Sequence, residues 1–355
     1  MFKSFAIGEK ISSYGYWVAT NQFTAEGATF GIQAEAALEA LKKAAAEKGM
    51  LPSGYVKANV MLRDPALCGV FLEIYRHVIG EDFPAVSFVP ENFIADDALF
   101  GIEVFGVTAD APGLVRYFGE SDFEGVPSVV KVGDYGFSSA ILPSVDGDFA
   151  AQCRSSMDRL IKAMAALGFS KSHFGKNLVL LDDCGNFDAY NVIYSEYYDV
   201  NDAPPARSLY GVSAVPGGKC VSTETVAYLG GKKPVNAVQG AKIALPFVHA
   251  TLMGDLLFIS GQIGLKGANG FNPAFGPQTE QMFSNVKVIA EAAGCKAEDY
   301  LKFNAFVTDR NNGEEFIELF NKHFGAGTGA APLYEVNGLA HTFLTVEMDA
   351  VAFAR

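Results

Sequence analysis

The chain has 355 residues, of which 50% are apolar and 19% charged, which is enough material for two or three domains of ordinary size. Its formal net charge of −13 and its lack of a Lys/Arg cluster argue against nucleic acid as a partner, because phosphate binding needs a basic face. No apolar run approaches the roughly 20 residues that a membrane-spanning helix needs, so no membrane association is expected.

The cysteines and histidines favour a cytoplasmic protein without a metal. Five cysteines lie far apart with no CxxC pair, which is typical of reduced core thiols rather than disulfides or zinc ligands. The five histidines show no metal-ligand spacing. The first five residues, MFKSF, lack the apolar segment of a signal peptide.

One unit is written three times along the chain. The interval from Gln to Gly is 16 residues in each copy, an Asp follows after 15, and an aromatic residue after a further 11. The landmarks are Gln33, Gly49, Asp64 and Tyr75; then Gln152, Gly168, Asp183 and Tyr194; then Gln278, Gly294, Asp309 and Phe320. Landmarks kept at one spacing in three places predict a structural repeat.

The elements of each copy follow in a fixed order. A strand pair precedes an amphipathic helix that stops at the Gly, and a short apolar strand lies between the Gly and the Asp. A second helix carries the aromatic landmark, and a Pro-led strand pair closes the copy. Each copy is therefore predicted as a β-β-α-β-α-β-β unit, with divisions at residues 1–112, 113–236 and 237–355.

The closing pair of the second copy contains the most informative stretch. Pro204 to Val212 predicts a strand, and the Pro216-Gly217 turn predicts a hairpin with a return strand through Glu224. Arg207 begins the first strand among apolar neighbours, where a guanidinium needs an anionic partner. That partner is either an internal acid such as Glu224 or the carboxylate of a ligand.

Three stretches carry a resemblance to a known family. Leu257-Phe258-Ile259-Ser260-Gly261-Gln262, Val346-Glu347-Met348-Asp349-Ala350-Val351-Ala352 and Pro205-Ala206-Arg207-Ser208 resemble the Rid (reactive intermediate deaminase, or YjgF) family. The resemblance implies an α+β fold of three tandem Rid-like (chorismate-mutase-like) units that form an intramolecular pseudo-trimer. It also implies clefts between units, hydrolysis of small enamines or imines such as 2-aminoacrylate, and no metal or organic cofactor.

The resemblance implies a set of site residues. The family Arg, which binds the substrate carboxylate, matches Arg207, with Val86 and Tyr334 taken as its counterparts in the other copies. The other substrate-binding positions match Asn191, Tyr194, Ser139 and, approximately, Phe247. Ser260 and, weakly, Thr20 match the Ser position in the other two copies. The family's acidic residue falls on Ser222, with Glu224 two residues further on the same strand face, whereas copy three has Glu347 there. Ser222 and Glu224 are accordingly the catalytic candidates beside Arg207.

Two classes of function remain open. One is an enzyme that deaminates a small imine or enamine carboxylate at a cleft containing Arg207. The other is a non-catalytic binder of a small carboxylate, or a scaffold with degenerate pockets, which the loss of the Arg from two copies favours. The endoribonuclease activity once attributed to the family is disfavoured by the charge. The repeat also predicts a monomer with internal pseudo-threefold symmetry.

Overall fold

The computed structural model describes residues 6–90, 97–238, 246–266 and 270–354. Residues 1–5, on which the expectation about a signal peptide rests, lie outside these ranges. The described chain forms three mixed β-sheets, each with two α-helices, so the predicted α+β fold of three tandem units is confirmed.

The elements follow the predicted order, with extra strands at the unit boundaries and one small hairpin. Unit 1 contains β1 Ala6–Gly8, β2 Ile11–Tyr14, β3 Trp17–Thr20, α1 Phe30–Glu47, β4 Tyr55–Leu62, α2 Cys68–Val78, β5 Ala85–Pro90 and β6 Phe100–Val107. Unit 2 contains β7 Leu114–Tyr117, β8 Val129–Val132, β9 Tyr135–Ser138, α3 Phe149–Ala165, β10 Phe174–Leu181, α4 Phe187–Tyr194, β11 Ala206–Gly211 and β12 Val221–Tyr228. Unit 3 contains β13 Lys232–Val235, β14 Ala250–Met253, β15 Leu256–Ile263, β16 Leu265–Lys266, β17 Gly270–Phe271, α5 Phe275–Ala292, β18 Tyr300–Val307, α6 Gly313–Phe324, β19 Ala330–Glu335 and β20 Val346–Phe353.

The closing strands of each unit do not pair with each other. In the second sheet the order is β11-β10-β12-β9-β8-β7, with β11 parallel and β12 antiparallel to β10. The predicted hairpin between the strand of Arg207 and the strand of Glu224 is therefore wrong. The Pro216–Gly218 turn ends a connection that carries the chain across β10.

The repeated landmarks each perform one structural task. The Gly residues Gly49, Gly168 and Gly294 all have a positive φ after the first helix, a conformation that suits glycine. The Asp side chains cap the short turn before the second helix by accepting a backbone N–H, from Ala66, Gly185 and Asn311 in turn. Each Gln side chain accepts the N–H just before the last strand, at Leu99, Cys220 and Thr345.

Two strands, β1 and β13, belong to the third sheet, although the predicted divisions place them in units 1 and 2. β13 pairs with β14 in the third sheet, so this sheet begins before the expected division at residue 236. β1 pairs with β19 at the edge of the same third sheet, with Ile7 opposite Ala331. The beginning of the described chain is thus held against its last unit.

The core divides into outer and inner parts. One cluster in each unit packs its sheet against its two helices. Two further clusters contain side chains from all three units, with Met61, Tyr210 and Phe306 in one and Trp17, Phe137 and Phe258 in the other. The three sheets therefore face one another across shared apolar layers. None of the described helices has the length and apolar content that crossing a bilayer would require.

Three buried ion pairs link the units in a cycle. Each pair joins a lysine near the start of a central strand to an acid on the last strand of the next unit. The pairs are Lys57 with Glu224 at 2.7 Å, Lys176 with Asp349 at 3.1 Å, and Lys302 with Glu103. Unit 1 thus contacts unit 2, unit 2 contacts unit 3, and unit 3 contacts unit 1. We call these contacts the 1–2, 2–3 and 3–1 seams.

Candidate functional site

One face of helix α4 begins the site. Phe187, Tyr190, Asn191 and Tyr194 are spaced i, i+3, i+4 and i+7, so they share one face of the helix. Tyr190, Asn191 and Tyr194 are buried against the sheet of unit 2, and both amide atoms of Asn191 lack a hydrogen-bond partner among the described residues. Tyr194 accepts a hydrogen bond at 2.9 Å from Asn177 of β10.

Arg207 lies on the edge strand β11, beneath this helix face, and is only 4% exposed. Its guanidinium carbon lies 4.6–5.7 Å from the ring centroids of Phe187, Tyr190, Tyr194 and Phe247. Its Nη1 atom has no hydrogen-bond partner in the described part of the chain. Burial lowers the pKa of Arg207, and Tyr194, Tyr190 and Glu347 offset only part of that desolvation. We call Arg207 and these four aromatic side chains the cage. One guanidinium nitrogen of the cage has its hydrogen-bonding capacity unused by the described residues.

Unit 3 closes the other side of this cage across the 2–3 seam. Ser260 of β15 accepts a hydrogen bond at 2.9 Å from the backbone N–H of Arg207 and donates one to the carbonyl of Val248. Ala206 forms a parallel bridge with Val248, next to Phe247. The strand that carries Arg207 is thus fixed to unit 3 through its own backbone.

Glu347 of β20 is the acidic group of the seam. It is buried, and desolvation, followed by the charge of Asp349, raises its pKa to about 8, although Lys176, Arg207 and the N–H of Leu209 act in the opposite direction. A Cβ atom at Gly261 would lie 1.9 Å from a Glu347 carboxylate oxygen, so glycine leaves the room that this side chain occupies. The raised pKa favours the protonated form of Glu347, and Glu347 sits within the electrostatic reach of Arg207.

Ser139 and Glu224 lie at the 1–2 seam rather than beside Arg207. Ser139 accepts a hydrogen bond at 2.8 Å from the N–H of Val86 and donates one to the carbonyl of Pro127, which repeats the role of Ser260. Glu224 pairs with Lys57 and Ser87, so the hypothesis that Glu224 neutralises Arg207 is wrong.

Ser222 occupies in unit 2 the register position of Glu347 in unit 3. Ser222 pairs with Leu180, and Leu180 lies four residues after Lys176 on the same strand. Glu347 pairs with Phe306, which lies four residues after Lys302 in the same way. Ser222 is buried, and its hydroxyl has no hydrogen-bond partner within the described ranges. By this equivalence it belongs to the 1–2 seam, with Ser139. The structure thus brings Arg207, Asn191, Tyr194 and Phe247 together and separates them from Ser139, Ser222 and Glu224.

Of the two expected counterparts of Arg207, Val86 is correct and Tyr334 is not. Arg207 pairs with Asn177, the residue after the seam lysine Lys176. Val86 pairs in the same way with Ala58, the residue after Lys57, so Val86 is the counterpart of Arg207 in unit 1. In unit 3 the same register places Ala331 there, three residues before the expected Tyr334. Tyr334 instead donates a hydrogen bond to Glu103. Thr20 also departs from the expected Ser position, since its hydroxyl accepts the N–H of Val104 within its own unit.

Sequence reasoning missed Ser260, Glu347, Phe187 and Tyr190 as members of the site. The i, i+3, i+4, i+7 spacing on α4 is a signal that finds the two aromatic residues. Ser260 and Glu347 belong to a unit that has no arginine at its own Arg position, so a comparison within one unit does not connect them with Arg207. Within the described ranges, no group of three or more His, Cys, Asp or Glu side chains is arranged to hold a metal ion.

Comparisons with known proteins show the family of this chain. The family model described as endoribonuclease L-PSP matches residues 128–229 and 239–354. A RutC family protein of Pyrococcus horikoshii is 32% identical over 110 residues, which are 30% of this chain and 86% of that protein. The 2-iminobutanoate/2-iminopropanoate deaminase of Escherichia coli K12 is 33% identical over 125 residues, 34% of this chain and 96% of the enzyme.

A whole-chain similarity appears among solved structures. A crystal structure of chorismatase superposes with a TM-score of 0.60 and covers 97% of this chain and 100% of its own. The sequence identity is 13%, so the similarity concerns the fold alone. The single-unit relatives each span about a third of the chain, as three repeated units require.

Proposed function

We propose that this chain, which belongs to the endoribonuclease L-PSP family, deaminates a small imine or enamine carboxylate. The membership confirms the resemblance to the Rid family. The site is the cage at the 2–3 seam. The observation that carries the proposal is the buried Arg207, whose Nη1 has no hydrogen-bond partner among the described residues and whose charge reaches Glu347 of the next unit, a buried acid with a raised pKa.

Arg207 serves as the carboxylate-binding group. A carboxylate satisfies the free guanidinium nitrogen, and a charge-assisted hydrogen bond of this kind contributes about 1.5–3 kcal/mol. The aromatic rings exclude water around the pair, which strengthens the attraction. Asn191 offers a donor and an acceptor on the same helix face for the polar atoms next to the carboxylate.

Glu347 serves as the proton carrier. In the proposed reaction, the enamine form first converts to the imine by moving a proton to its terminal carbon. Water then adds to the imine carbon, the carbon–nitrogen bond breaks, and the products are a 2-oxo acid and ammonia. Glu347 gives its proton to the nitrogen and, as a carboxylate, takes one from the attacking water. General acid–base help of this kind contributes roughly 10²–10⁴-fold.

The relatives and the charge favour this chemistry over the alternatives. The Escherichia coli relative is named for deamination of 2-iminobutanoate and 2-iminopropanoate, both small imino acids. RNA cleavage is disfavoured by the net charge of −13. The second candidate is a non-catalytic binder of a small carboxylate or a scaffold, favoured by Val86 and Ala331 at the Arg positions of the other two seams.

The proposal includes a single-chain assembly. Three units joined by a cycle of seam contacts form within one polypeptide the ring that single-unit proteins build from three subunits. We infer a cytoplasmic monomer with internal pseudo-threefold symmetry, and light scattering is expected to give a mass near 37.9 kDa.

Ammonia release from 2-aminoacrylate generated in solution tests the activity. The wild-type protein is expected to accelerate release, whereas Arg207→Ala and Glu347→Gln reduce it to the spontaneous rate. Arg154→Ala is the matched control, since Arg154 is a surface residue paired with Glu196. Wild-type release at the spontaneous rate, with carboxylate binding that still requires Arg207, would leave the binder as the better description.

A further inference from the structure

A cavity between units 2 and 3 shares Phe187 with the cage. It has a volume of about 640 Å³ and is lined mainly by residues between 182 and 188 of unit 2 and between 337 and 344 of unit 3. We call it the vestibule. An imino acid of three carbons fills only a small part of this space.

The vestibule is fixed across the 2–3 seam by backbone hydrogen bonds. The N–H of Gly211 donates to the carbonyl of Gly338 at 2.8 Å, and the N–H of Asn337 donates to the carbonyl of Gly211 at 3.0 Å. The loop between β19 and β20 is thereby held against the end of β11. The cavity is thus built from the same two units, and the same strand β11, as the cage.

Phe187 lines the vestibule and also contacts the cage. Its ring centroid lies 5.7 Å from the Arg207 guanidinium carbon and 5.4 Å from the His341 ring. Cys184 also lines the vestibule, and Glu347 lies close enough to raise the pKa of its thiol, after the larger effect of burial. The wall of the vestibule therefore lies next to both groups proposed to act on the carboxylate and the nitrogen.

Part of the wall of the vestibule is formed by the rings of Phe187, His341 and Phe343. His341 and Phe343 stack with ring centroids 5.2 Å apart and an interplanar angle of 13°. Phe343 is nevertheless 48% exposed, so a large apolar ring is held at the opening without being covered. Aromatic faces bind planar rings in offset or edge-to-face arrangements, which contributes about 0.5–1.5 kcal/mol per contact beyond burial.

The rim of the vestibule is acidic. Asp182, Asp183 and Asp188 line it, and all three are exposed. This rim disfavours a second carboxylate on the outer part of a ligand, because like charges at the opening repel it. The charges therefore orient a ligand with its one carboxylate inward, toward Arg207, and its neutral part outward.

We propose that the vestibule is a subsite for a planar ring, so that the preferred substrate is an imino monocarboxylate with an aromatic side chain. This inference rests on the proposed function, because the carboxylate and imine parts occupy the cage. The reaction is unchanged: imine and water give the aromatic 2-oxo acid and ammonia. The supplier of such a substrate is a two-electron oxidation of an aromatic amino acid, in which a flavin or nicotinamide acceptor takes the hydride from Cα and the amine becomes the imine.

Calorimetric titration with phenylpyruvate and pyruvate tests this inference, because the two 2-oxo acids share the carboxylate and differ in the ring. We expect phenylpyruvate to bind at least ten-fold more tightly to the wild-type protein. Phe343→Ser is expected to remove most of that advantage and leave pyruvate binding unchanged. Phe118→Ser is the matched control, since Phe118 is 51% exposed and does not line the vestibule, and it should change neither affinity.

The outcomes separate this inference from the proposed function. Equal affinities for the two acids, or a Phe343→Ser effect equal for both, would overturn the ring subsite while binding through Arg207 survives. Binding of neither acid to the wild-type protein would overturn the carboxylate cage itself, and the ring subsite with it. Phenylpyruvate binding that persists in Arg207→Ala would contradict the inward orientation of the carboxylate.

Discussion

Arg207 is a buried cation that faces aromatic rings, with one guanidinium nitrogen unpartnered among the described residues. A structural arginine normally pairs with an acid, and its removal then strands a buried charge at a cost of about 3–5 kcal/mol. Here Glu224 pairs with Lys57, and the raised pKa of Glu347 favours its neutral form. The environment of Arg207 is therefore the one expected of a group that binds the anion of a ligand.

Arg207→Ala is accordingly expected to change the free energy of unfolding by less than about 1 kcal/mol at pH 7. The lost cation–π contacts are offset by removal of a desolvated charge, and no ionised carboxylate is left behind. Urea denaturation of both proteins measures the difference. A loss of 3 kcal/mol or more would show that the arginine has a structural partner.

Glu347→Gln makes the pH dependence of stability a test of the site. The pKa of Glu347 is raised from 4.5 in the unfolded chain to about 8 in the folded protein. Its contribution is therefore fully present below pH 4.5 and is lost as the pH rises toward 8. We expect the variant to gain on the wild type by about 1.4 kcal/mol per pH unit within this window. Urea denaturation at pH 5, 6, 7 and 8 measures the gain, and a constant difference would contradict the assignment.

Individual residues also show which parts of the site the sequence does not predict. Arg207, Asn191 and Tyr194 were predicted because one unit holds all three, and Phe247 was found although it belongs to the next unit. Ser139 and Glu224 were predicted for the same site because they share the unit of Arg207. In the structure each seam combines the strand β5, β11 or β19 of one unit with the first and last strands of the next. The acid beside Arg207 therefore has to come from unit 3.

At the element scale, the bulge in β15 makes room for the acid of the site. The pairing of β15 with β20 shifts register between Ile259 and Gln262, where Ser260 and Gly261 lie. Ser260 accepts the N–H of Arg207, and Gly261 adjoins the carboxylate of Glu347. The bulge thus places two contacts with the cage on adjacent residues, as bulges beside active sites commonly do.

Gly261→Ala is expected to abolish deamination and to cost about 1–3 kcal/mol of stability, because the new Cβ forces Glu347 from its place. Ammonia release and urea denaturation measure the two effects. The double variant Gly261→Ala/Glu347→Ala should regain stability without regaining deamination, since it removes the clash and the proposed proton carrier together. Normal activity in Gly261→Ala would refute the proposed position of Glu347.

The order of elements could be read from the sequence, but the adjacency of strands could not. Periodicity, the Gly stops and the Asp caps define each helix and strand locally, and the structure has them in the predicted places. The hairpin prediction failed because Pro216-Gly217 specifies a turn and says nothing about which strand lies beside β11. That choice depends on β10, which the intervening helix α4 separates from β11 along the chain.

At the scale of the whole molecule, the cycle of lysine–acid pairs connects the last unit to the first. Lys302 and Glu103 are the most buried of the three pairs, with side chains 7% and 1% exposed. Asn59 and Tyr334 also donate hydrogen bonds to Glu103. The spacing of the repeat predicted three equivalent units, but it contained no sign of which charged side chains meet across the seams.

Lys302→Met is expected to reduce the free energy of unfolding by about 3–5 kcal/mol, because it leaves Glu103 charged and buried. Lys162→Met is the matched control. Lys162 is 72% exposed in its pair with Glu120, so its loss should change the free energy of unfolding far less. Urea denaturation compares the two. Similar small losses in both variants would show that the 3–1 seam contributes little to the stability of the chain.

The three seams are unequal, and only the 2–3 seam is expected to bind a carboxylate. The 2–3 seam has Arg207, Ser260 and Glu347, the 1–2 seam has Val86 and Ser222, and the 3–1 seam has Ala331 opposite Ile7 of β1. Titration calorimetry with 2-oxobutyrate measures the number of binding sites. We predict one site per chain, lost in Arg207→Ala and retained in Arg154→Ala. Three equivalent sites, or one site that survives Arg207→Ala, would show that the carboxylate does not bind through the 2–3 seam alone.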